Sequence, residues 1–224
     1  MSDPIDRILD AVQAGKSIIK NREILREDYE PDIIQYRDSE QEEITQSLSP
    51  ILLKSRASNL ILYGEPGTGK TLVIKKIIKN IEKRVEKSNF PINVAYSNSK
   101  NETAIYGLIV SLGRQLDLSE KVLPTTGLSI SEVLKRILKK INEDKLNIIF
   151  VIDEIDDLAE QAQKTGNDIL YQLTRVNERL EQGSITLVGI SNNLTFKEKL
   201  DPRVISSLSE KEVLFTNYDI DQIK

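Results

Sequence analysis

The eight residues Gly64-Glu65-Pro66-Gly67-Thr68-Gly69-Lys70-Thr71 constrain the fold more than any other stretch of the chain. They follow the apolar run Leu60-Ile61-Leu62-Tyr63 and precede a helical pattern that opens at Leu72, so a buried strand runs into a glycine-rich turn and then a helix start. Gly64, Gly67 and Gly69 admit backbone conformations that a side chain forbids, which lets successive N–H groups converge on phosphate oxygens. The helix beginning near Lys70 adds the positive end of its dipole. Lys70 is spaced to reach the β- and γ-phosphates of a nucleotide, and the Thr71 hydroxyl to ligate Mg²⁺. With the full G-x-x-x-x-G-K-T spacing in this context, the stretch reads as a phosphate-binding loop rather than a chance turn.

Composition limits what chemistry can sit beside that loop. At 224 residues, 39% apolar and 29% charged, the chain has the make-up of an ordinary globular protein. No run approaches the roughly 20 apolar residues of a membrane span. Met1-Ser2-Asp3-Pro4 lacks a basic region followed by an apolar core, so the expectation is an intracellular, cytoplasmic protein without a membrane partner. The absence of cysteine excludes disulfides and thiolate metal sites, and the absence of histidine removes the commonest metal ligand and general base. Catalysis must then rest on carboxylates, lysine, arginine and a hard cation such as Mg²⁺. A net charge of −4 and a pI near 5.2 argue against a chain coated in positive charge for nucleic acid. A local basic face stays open: Lys75, Lys76, Lys79, Lys83, Arg84 and Lys87 point outward on the helix after the loop, as a solvated face balanced by nearby glutamates or as a nucleic-acid surface.

In order along the chain, residues 5–19 carry a weak helical pattern (Ile5, Ile8, Leu9, Val12), and residues 28–38 read as extended because Pro31 disfavours helix before it. Ser39-Glu40-Gln41-Glu42 spells a capping box before a helix with Ile44, Leu48 and Leu52 on one face. A helix over residues 71–87 stops at Asn89-Phe90-Pro91, and a strand over 92–96 leads to a helix containing Ile105, Leu108, Ile109, Leu112 and Leu116. Ser129 with Glu132 opens another helix (Val133, Leu134, Ile137, Leu138, Ile141). Ile148-Ile149-Phe150-Val151-Ile152 shows no alternation, as a strand buried on both faces of a parallel sheet does. A helix over residues 169–180, a strand over 185–190, a short helix announced by Asp201-Pro202 and a last strand over 213–216 complete the pattern. Five β-runs separated by helices predict an α/β domain whose ligands lie at the carboxyl ends of parallel strands.

Lys70, Asp153 and Asn192 each fall just past a strand's carboxyl end, so the topology predicts that they converge. Asp153 suits the carboxylate that holds Mg²⁺, usually through water; Glu154 suits polarisation of the attacking water; Asn192 suits orienting that water or sensing the γ-phosphate. Asp156 and Asp157 are the acidic start of a helix, favoured by its dipole, and take no catalytic role.

With GEPGTGKT, IIFVIDEID and LVGISNN in place, the chain resembles the AAA+ ATPase class, and more narrowly the archaeal replication initiators related to the origin-recognition complex and the cell-division-control-six loader. DYEPDIIQYRD, TGLSISEVLKRI, ILYQLTRVNE, LVGISNNLTFKEKLDPRVISSLSEKEVLF and TNYDIDQI add to the likeness, which spans nearly the whole chain. The resemblance implies a three-layer AAA+ P-loop NTPase domain with a five-stranded, mainly parallel sheet flanked by helices, covering residues 1–224, with residues 1–38 as an extension near the adenine. It implies ATP or ADP with Mg²⁺ as cofactors, held by Gly64, Glu65, Pro66, Gly67, Thr68, Gly69, Lys70, Thr71 and Leu72, with Thr71 and Asp153 at the metal. Ile33, Ile34, Tyr36 and Arg37 become candidates for the adenine pocket. Arg203 becomes either a contact to a neighbouring subunit's nucleotide or a structural salt bridge, while Ser207 stands where eukaryotic relatives carry a finger arginine, which excludes that residue from a trans role.

The function implied is a slowly hydrolysing ATPase that binds double-stranded origin DNA, helps load the replicative helicase and self-associates or joins paralogous initiators. The helical lid and the winged-helix domain of such initiators fall outside this chain, and their DNA-contacting insertion is expected within residues 98–118, where the apolar residues read as core. A nucleotide-dependent scaffold, or a clamp-loader-like ATPase with little turnover of its own, is the alternative. A helicase needs a second motor domain, and a GTPase an Asn-Lys-x-Asp motif that the chain lacks.

Overall fold

The computed structural model of the chain describes residues 3–13, 21, 23, 26, 29, 31, 33–86, 92–102, 104–166 and 168–223. They fall into two units, residues 1–35 and 36–224. In the first, α1 (Pro4–Gln13) begins after Asp3, whose carboxylate accepts the Ile5 N–H at 3.0 Å. The continuation of that helical pattern to residue 19, residues 28, 30 and 32 of the expected extended segment, and the helix stop at residues 89–91 lie outside the described residues.

The second unit is a helix-flanked sheet. Its strands are β1 (Leu60–Gly64), β2 (Ile92–Asn98), β3 (Asn147–Asp153), β4 (Ser184–Ser191) and β5 (Lys211–Phe215). They pair in the order β2-β3-β4-β1-β5, and every neighbouring pair is parallel. The connections carry α2 (Asp38–Leu48), α3 (Lys70–Val85), α4 (Ile105–Arg114), α5 (Ile130–Asp144), α6 (Ile155–Thr165), α7 (Ile169–Thr174) and α8 (Pro202–Leu208), with α9 (Ile220–Ile223) last. β1, β3 and β4 are buried along their whole length, as unbroken apolar runs in a covered parallel sheet require. The edge strand β5 alternates instead, with Val213 and Phe215 inward and Leu214 outward. Each fully buried β3 side chain of the Ile, Val or Phe type contributes about 1.5–3 kcal/mol.

The helices follow their sequence patterns with four corrections. α2 starts at Asp38 with Arg37 as its N-cap and no side-chain cap bond, so Ser39 does not cap it. The Glu42 carboxylate that the expected capping box would turn to the backbone instead accepts Gln46 Nε2 at 3.1 Å, while the neighbouring Glu40 takes the Arg37 guanidinium at 2.6 Å, a charge-assisted bond. The segment before α2 is not extended throughout: the chain turns at Gln35 and Tyr36, and Tyr36 adopts φ +58°. The helix expected over residues 169–180 ends at Thr174 and resumes as a 3-10 turn at Val176–Arg179. There the Asn177 carboxamide takes both the N–H (2.8 Å) and the C=O (2.7 Å) of Ile185, at the start of β4 where β1 does not yet reach. Finally, the last strand covers Lys211–Phe215 rather than residues 213–216, because the Lys211 N–H pairs with Asn59 O at 3.1 Å.

The predicted caps at α5 and α8 form. Ser129 Oγ accepts the Glu132 N–H at 3.2 Å, although the Glu132 carboxylate binds Arg136 rather than closing the box, and Asp201 accepts the Arg203 N–H at 2.8 Å ahead of Pro202. The apolar residues of α4 lie in the core with those of α5, as read from the sequence.

Candidate nucleotide-binding site

The parallel register brings the strand ends to one rim. Tyr63 stands opposite Ser191, Gly64 opposite Phe215, Ile190 opposite Asp153 and Asp153 opposite Asn98. The turns that leave adjacent strands therefore lie side by side on that rim.

After β1 the chain makes its glycine-rich turn. Glu65, Pro66 and Gly67 form the exposed tip, Thr68 and Lys70 are buried, and Gly69, Thr71 and Leu72 are partly covered. Gly69 is the N-cap of α3 at φ +92°, a conformation that favours glycine, and no side chain caps the helix. Its first N–H groups are thus free of side-chain acceptors, which is the donor set a bound anion requires. Gly64 is fixed by space instead, since a Cβ there would lie 2.4 Å from Phe215 O. Lys70 is only 4% exposed. Its ammonium donates to Gly64 O at 2.7 Å, Glu65 O at 2.9 Å and Thr68 Oγ1 at 3.4 Å, all neutral oxygens. Burial pushes it below the usual lysine range, against the opposing pull of Asp153, Glu154 and Asp156. A buried cation on neutral partners suits a polyphosphate, which would supply the missing negative charge.

Asp153 ends β3 and its carboxylate is gripped from three sides. Oδ2 accepts the Thr71 hydroxyl at 2.8 Å and the Tyr96 hydroxyl at 2.6 Å, and Oδ1 accepts the Glu154 N–H at 3.0 Å. With its proton committed to Asp153, the Thr71 oxygen keeps lone pairs for a cation beside the same carboxylate, so the donor set fits Mg²⁺. Burial, and after it the bond to Asp153, raises the Tyr96 phenol far above its ordinary range, which keeps it a donor.

Glu154 follows with φ +54°, an uncommon backbone state for a residue with a side chain, and serves as the N-cap of α6. Its Oε1 accepts Asn192 Nδ2 at 2.8 Å and Lys100 Nζ at 3.1 Å, while Oε2 is buried without a partner. Asn192, just past β4, thus holds the carboxylate of Glu154. Asp156 and Asp157 sit in the first turn of α6, and burial pushes Asp156 above the usual carboxylate range.

Lys70, Thr71, Asp153, Glu154 and Asn192 therefore form one connected group. The adenine-pocket candidates fall in both units. Ile33 and Ile34 belong to the first unit, the former exposed and the latter buried. Tyr36 is exposed in the second unit. Arg37 is buried, donating to Glu40 and to Thr216 O at 2.6 Å each, with its guanidinium 4.1 Å from the centre of the Tyr218 ring. It ties α2 to the segment after β5, and that segment reaches the loop, where Asn217 Nδ2 bonds Glu65 Oε2 at 2.9 Å. Arg203 forks onto Asp201 at 3.0 and 2.7 Å and lies 4.9 Å from the centre of the Tyr171 ring.

Three residues at this rim escape sequence reasoning. Tyr96, Lys100 and Gln115 reach it only through tertiary contacts. For Tyr96 a usable signal exists, a polar-tipped aromatic near the carboxyl end of a strand, where ligands of such sheets lie.

Comparison with known proteins agrees with this geometry. Residues 60–217 match the model of the ATPase family associated with various cellular activities (AAA). The chain is 61% identical to an ORC1-type DNA replication protein of Cenarchaeum symbiosum over 99% of this chain and 54% of that protein. It is 36% identical to the ORC1-type protein of Pyrococcus abyssi over 98% and 52% respectively. The chain thus spans about half the length of these curated relatives. Among solved structures, the Aeropyrum pernix ORC1 protein in complex with DNA superposes with a TM-score of 0.82 at 35% identity, over 91% of this chain and 51% of that one. The chain belongs to the AAA family of ATPases, and within it resembles the ORC1-type DNA replication proteins of archaea.

Proposed function

We propose that this chain is the ATP-binding and slowly hydrolysing part of a DNA replication initiator. The observation that carries the reading is the bond between Thr71 and Asp153 at 2.8 Å, beside the buried Lys70. Lys70 exchanges its loop carbonyls for β- and γ-phosphate oxygens, and the N–H groups of residues 67–71 hold the remaining phosphate oxygens. The Thr71 oxygen and Asp153 would hold Mg²⁺, which when bound would neutralise charge on those phosphates. Glu154 polarises the attacking water and receives its proton; Asn192 sets where that carboxylate points. Asn192 and Lys100 both hold Oε1 and leave Oε2 without a partner, so Oε2 is the oxygen that would face the water. Ile33, Ile34, Tyr36 and Arg37 remain our candidates around the adenine, Arg37 acting by holding the segment after β5. Arg203 reaches a neighbouring subunit's nucleotide only by giving up Asp201.

The likeness to ORC1-type proteins, one of them solved with DNA, supports binding of double-stranded origin DNA, loading of the replicative helicase and self-association or pairing with paralogous initiators. Among the described residues no helix is long and apolar enough to cross a membrane.

The restraint of Glu154 by Asn192 and Lys100 at Oε1 favours a second reading, a nucleotide-dependent scaffold with little turnover. Single-turnover assays with γ-labelled ATP separate them. Release of phosphate by the unaltered chain and retention of intact ATP by Glu154→Gln support the ATPase; equal, negligible release by both supports the scaffold.

A further inference from the structure

We propose that Tyr96 is a positioning residue of the nucleotide site, fixing the plane of the Asp153 carboxylate for the divalent cation. The inference rests on the nucleotide-binding reading and extends it to residues on the opposite side of Asp153 from the loop.

An aspartate's terminal torsion is soft, with a broad two-fold profile, so a carboxylate is aimed by its partners and not by its own rotamer. Of the three donors on Asp153, Thr71 is the one whose oxygen is also needed at the cation, and the Glu154 N–H comes from the adjacent, backbone-strained residue. Tyr96 is the remaining donor, from a different strand, at 2.6 Å. Its own position is over-determined. Among the described residues β2 is an edge strand, so the outward N–H and C=O of Tyr96 face no neighbouring strand there. The Gln115 carboxamide takes both, Oε1 accepting the N–H at 2.8 Å and Nε2 donating to the carbonyl at 2.8 Å. On the ring, Lys75 Nζ from α3 stands 5.5 Å from the centroid, a cation–π distance. A side chain beyond the end of α4 thus clamps the edge strand, the strand presents the phenol, and the phenol holds the carboxylate. Partners that orient a metal-holding group in this way cost about 10- to 100-fold in metal affinity when removed.

The test is the affinity for ADP of the unaltered chain, Tyr96→Phe and Gln115→Ala, each measured in excess EDTA and across a Mg²⁺ titration. Tyr96→Phe keeps the ring and deletes only the hydroxyl. The expected result is unchanged affinity in EDTA, a Mg²⁺-dependent gain reduced about tenfold or more, and recovery at high Mg²⁺. A direct count of Mn²⁺ bound to the ADP complex by electron paramagnetic resonance should show the same weakening without reference to turnover. Gln115→Ala, which leaves the hydroxyl in place but frees the strand, should give a smaller shift of the same sign, and decides the matter if Tyr96→Phe does not fold. An unaltered Mg²⁺ gain in the variants beside a normal gain in the parent overturns this inference alone. Failure of the parent to bind ADP under any condition overturns the nucleotide reading and this inference with it.

Discussion

The Thr71 hydroxyl and the Asp153 carboxylate meet at 2.8 Å although β4 lies between the strands that lead to them. The contact exists because Thr71 lies in the first turn of α3, which the loop after β1 brings within reach of the last residue of β3. A hydroxyl and a carboxylate so joined, with a buried ammonium one residue from the hydroxyl, are the donor set that the proposed magnesium nucleotide requires.

Under the proposed function, Glu154 trades stability for catalysis. Its φ of +54° costs about 1–2 kcal/mol relative to glycine, and it brings a carboxylate among those of Asp153, Asp156 and Asp157. Glu154→Gly should therefore raise the stability of the chain by about 1 kcal/mol after the loss of its bond to Asn192, moving the melting temperature up by about 2–4 °C. Phosphate release should fall to background in the same variant. Calorimetry with a turnover assay checks both halves.

Arg37 is a structural anchor whose loss is felt at the loop. Removing its guanidinium strands the largely buried Glu40 and frees the Thr216 carbonyl, a cost of about 3 kcal/mol or a fall of about 6–12 °C in melting temperature. Because residues 216–218 lose their tether, Arg37→Ala should also become sensitive to proteolysis after Phe215 in the absence of nucleotide. Mass spectrometry of a limited digest reads this out.

The Asp201–Arg203 pair sets a pH dependence at the acid end. Arg203 holds the Asp201 carboxyl at about 2, below its ordinary 3.8. Between these values the unfolded chain binds more protons than the folded one, so the pair's contribution is complete above 3.8 and is lost as pH falls through about 2. A carbon-detected NMR titration should place the Asp201 midpoint near 2 in the parent and near its ordinary value in Arg203→Ala. If a neighbouring subunit's nucleotide draws Arg203 away, the midpoint should rise on assembly as well.

The features legible in the chain beforehand were those a short stretch specifies by itself. The glycine spacing around Lys70, the unbroken apolar run ending at Asp153 and the Asp201-Pro202 start of α8 are local, and each folds as its neighbours dictate. Sheet order is not local: its place near a strand's carboxyl end marks Tyr96 as a rim residue, but nothing near it states that β2 will border β3 and bring it to Asp153. The missed boundaries share a cause. At the end of α7 and the start of β5, Asn177 and Lys211 take partners outside their own elements, Ile185 and Asn59 respectively, that local propensity does not specify.

The central claim is that Lys70 and the Thr71–Asp153 pair form one site for a magnesium nucleotide. Titration calorimetry of ADP with Mg²⁺ into the unaltered chain and into Lys70→Ala tests it most directly. The account predicts a saturable one-to-one isotherm for the former, with a melting temperature about 5–10 °C higher at a hundredfold excess over Kd, and neither effect for the latter. Equal affinity in the two proteins, or no binding by the unaltered chain, would contradict it.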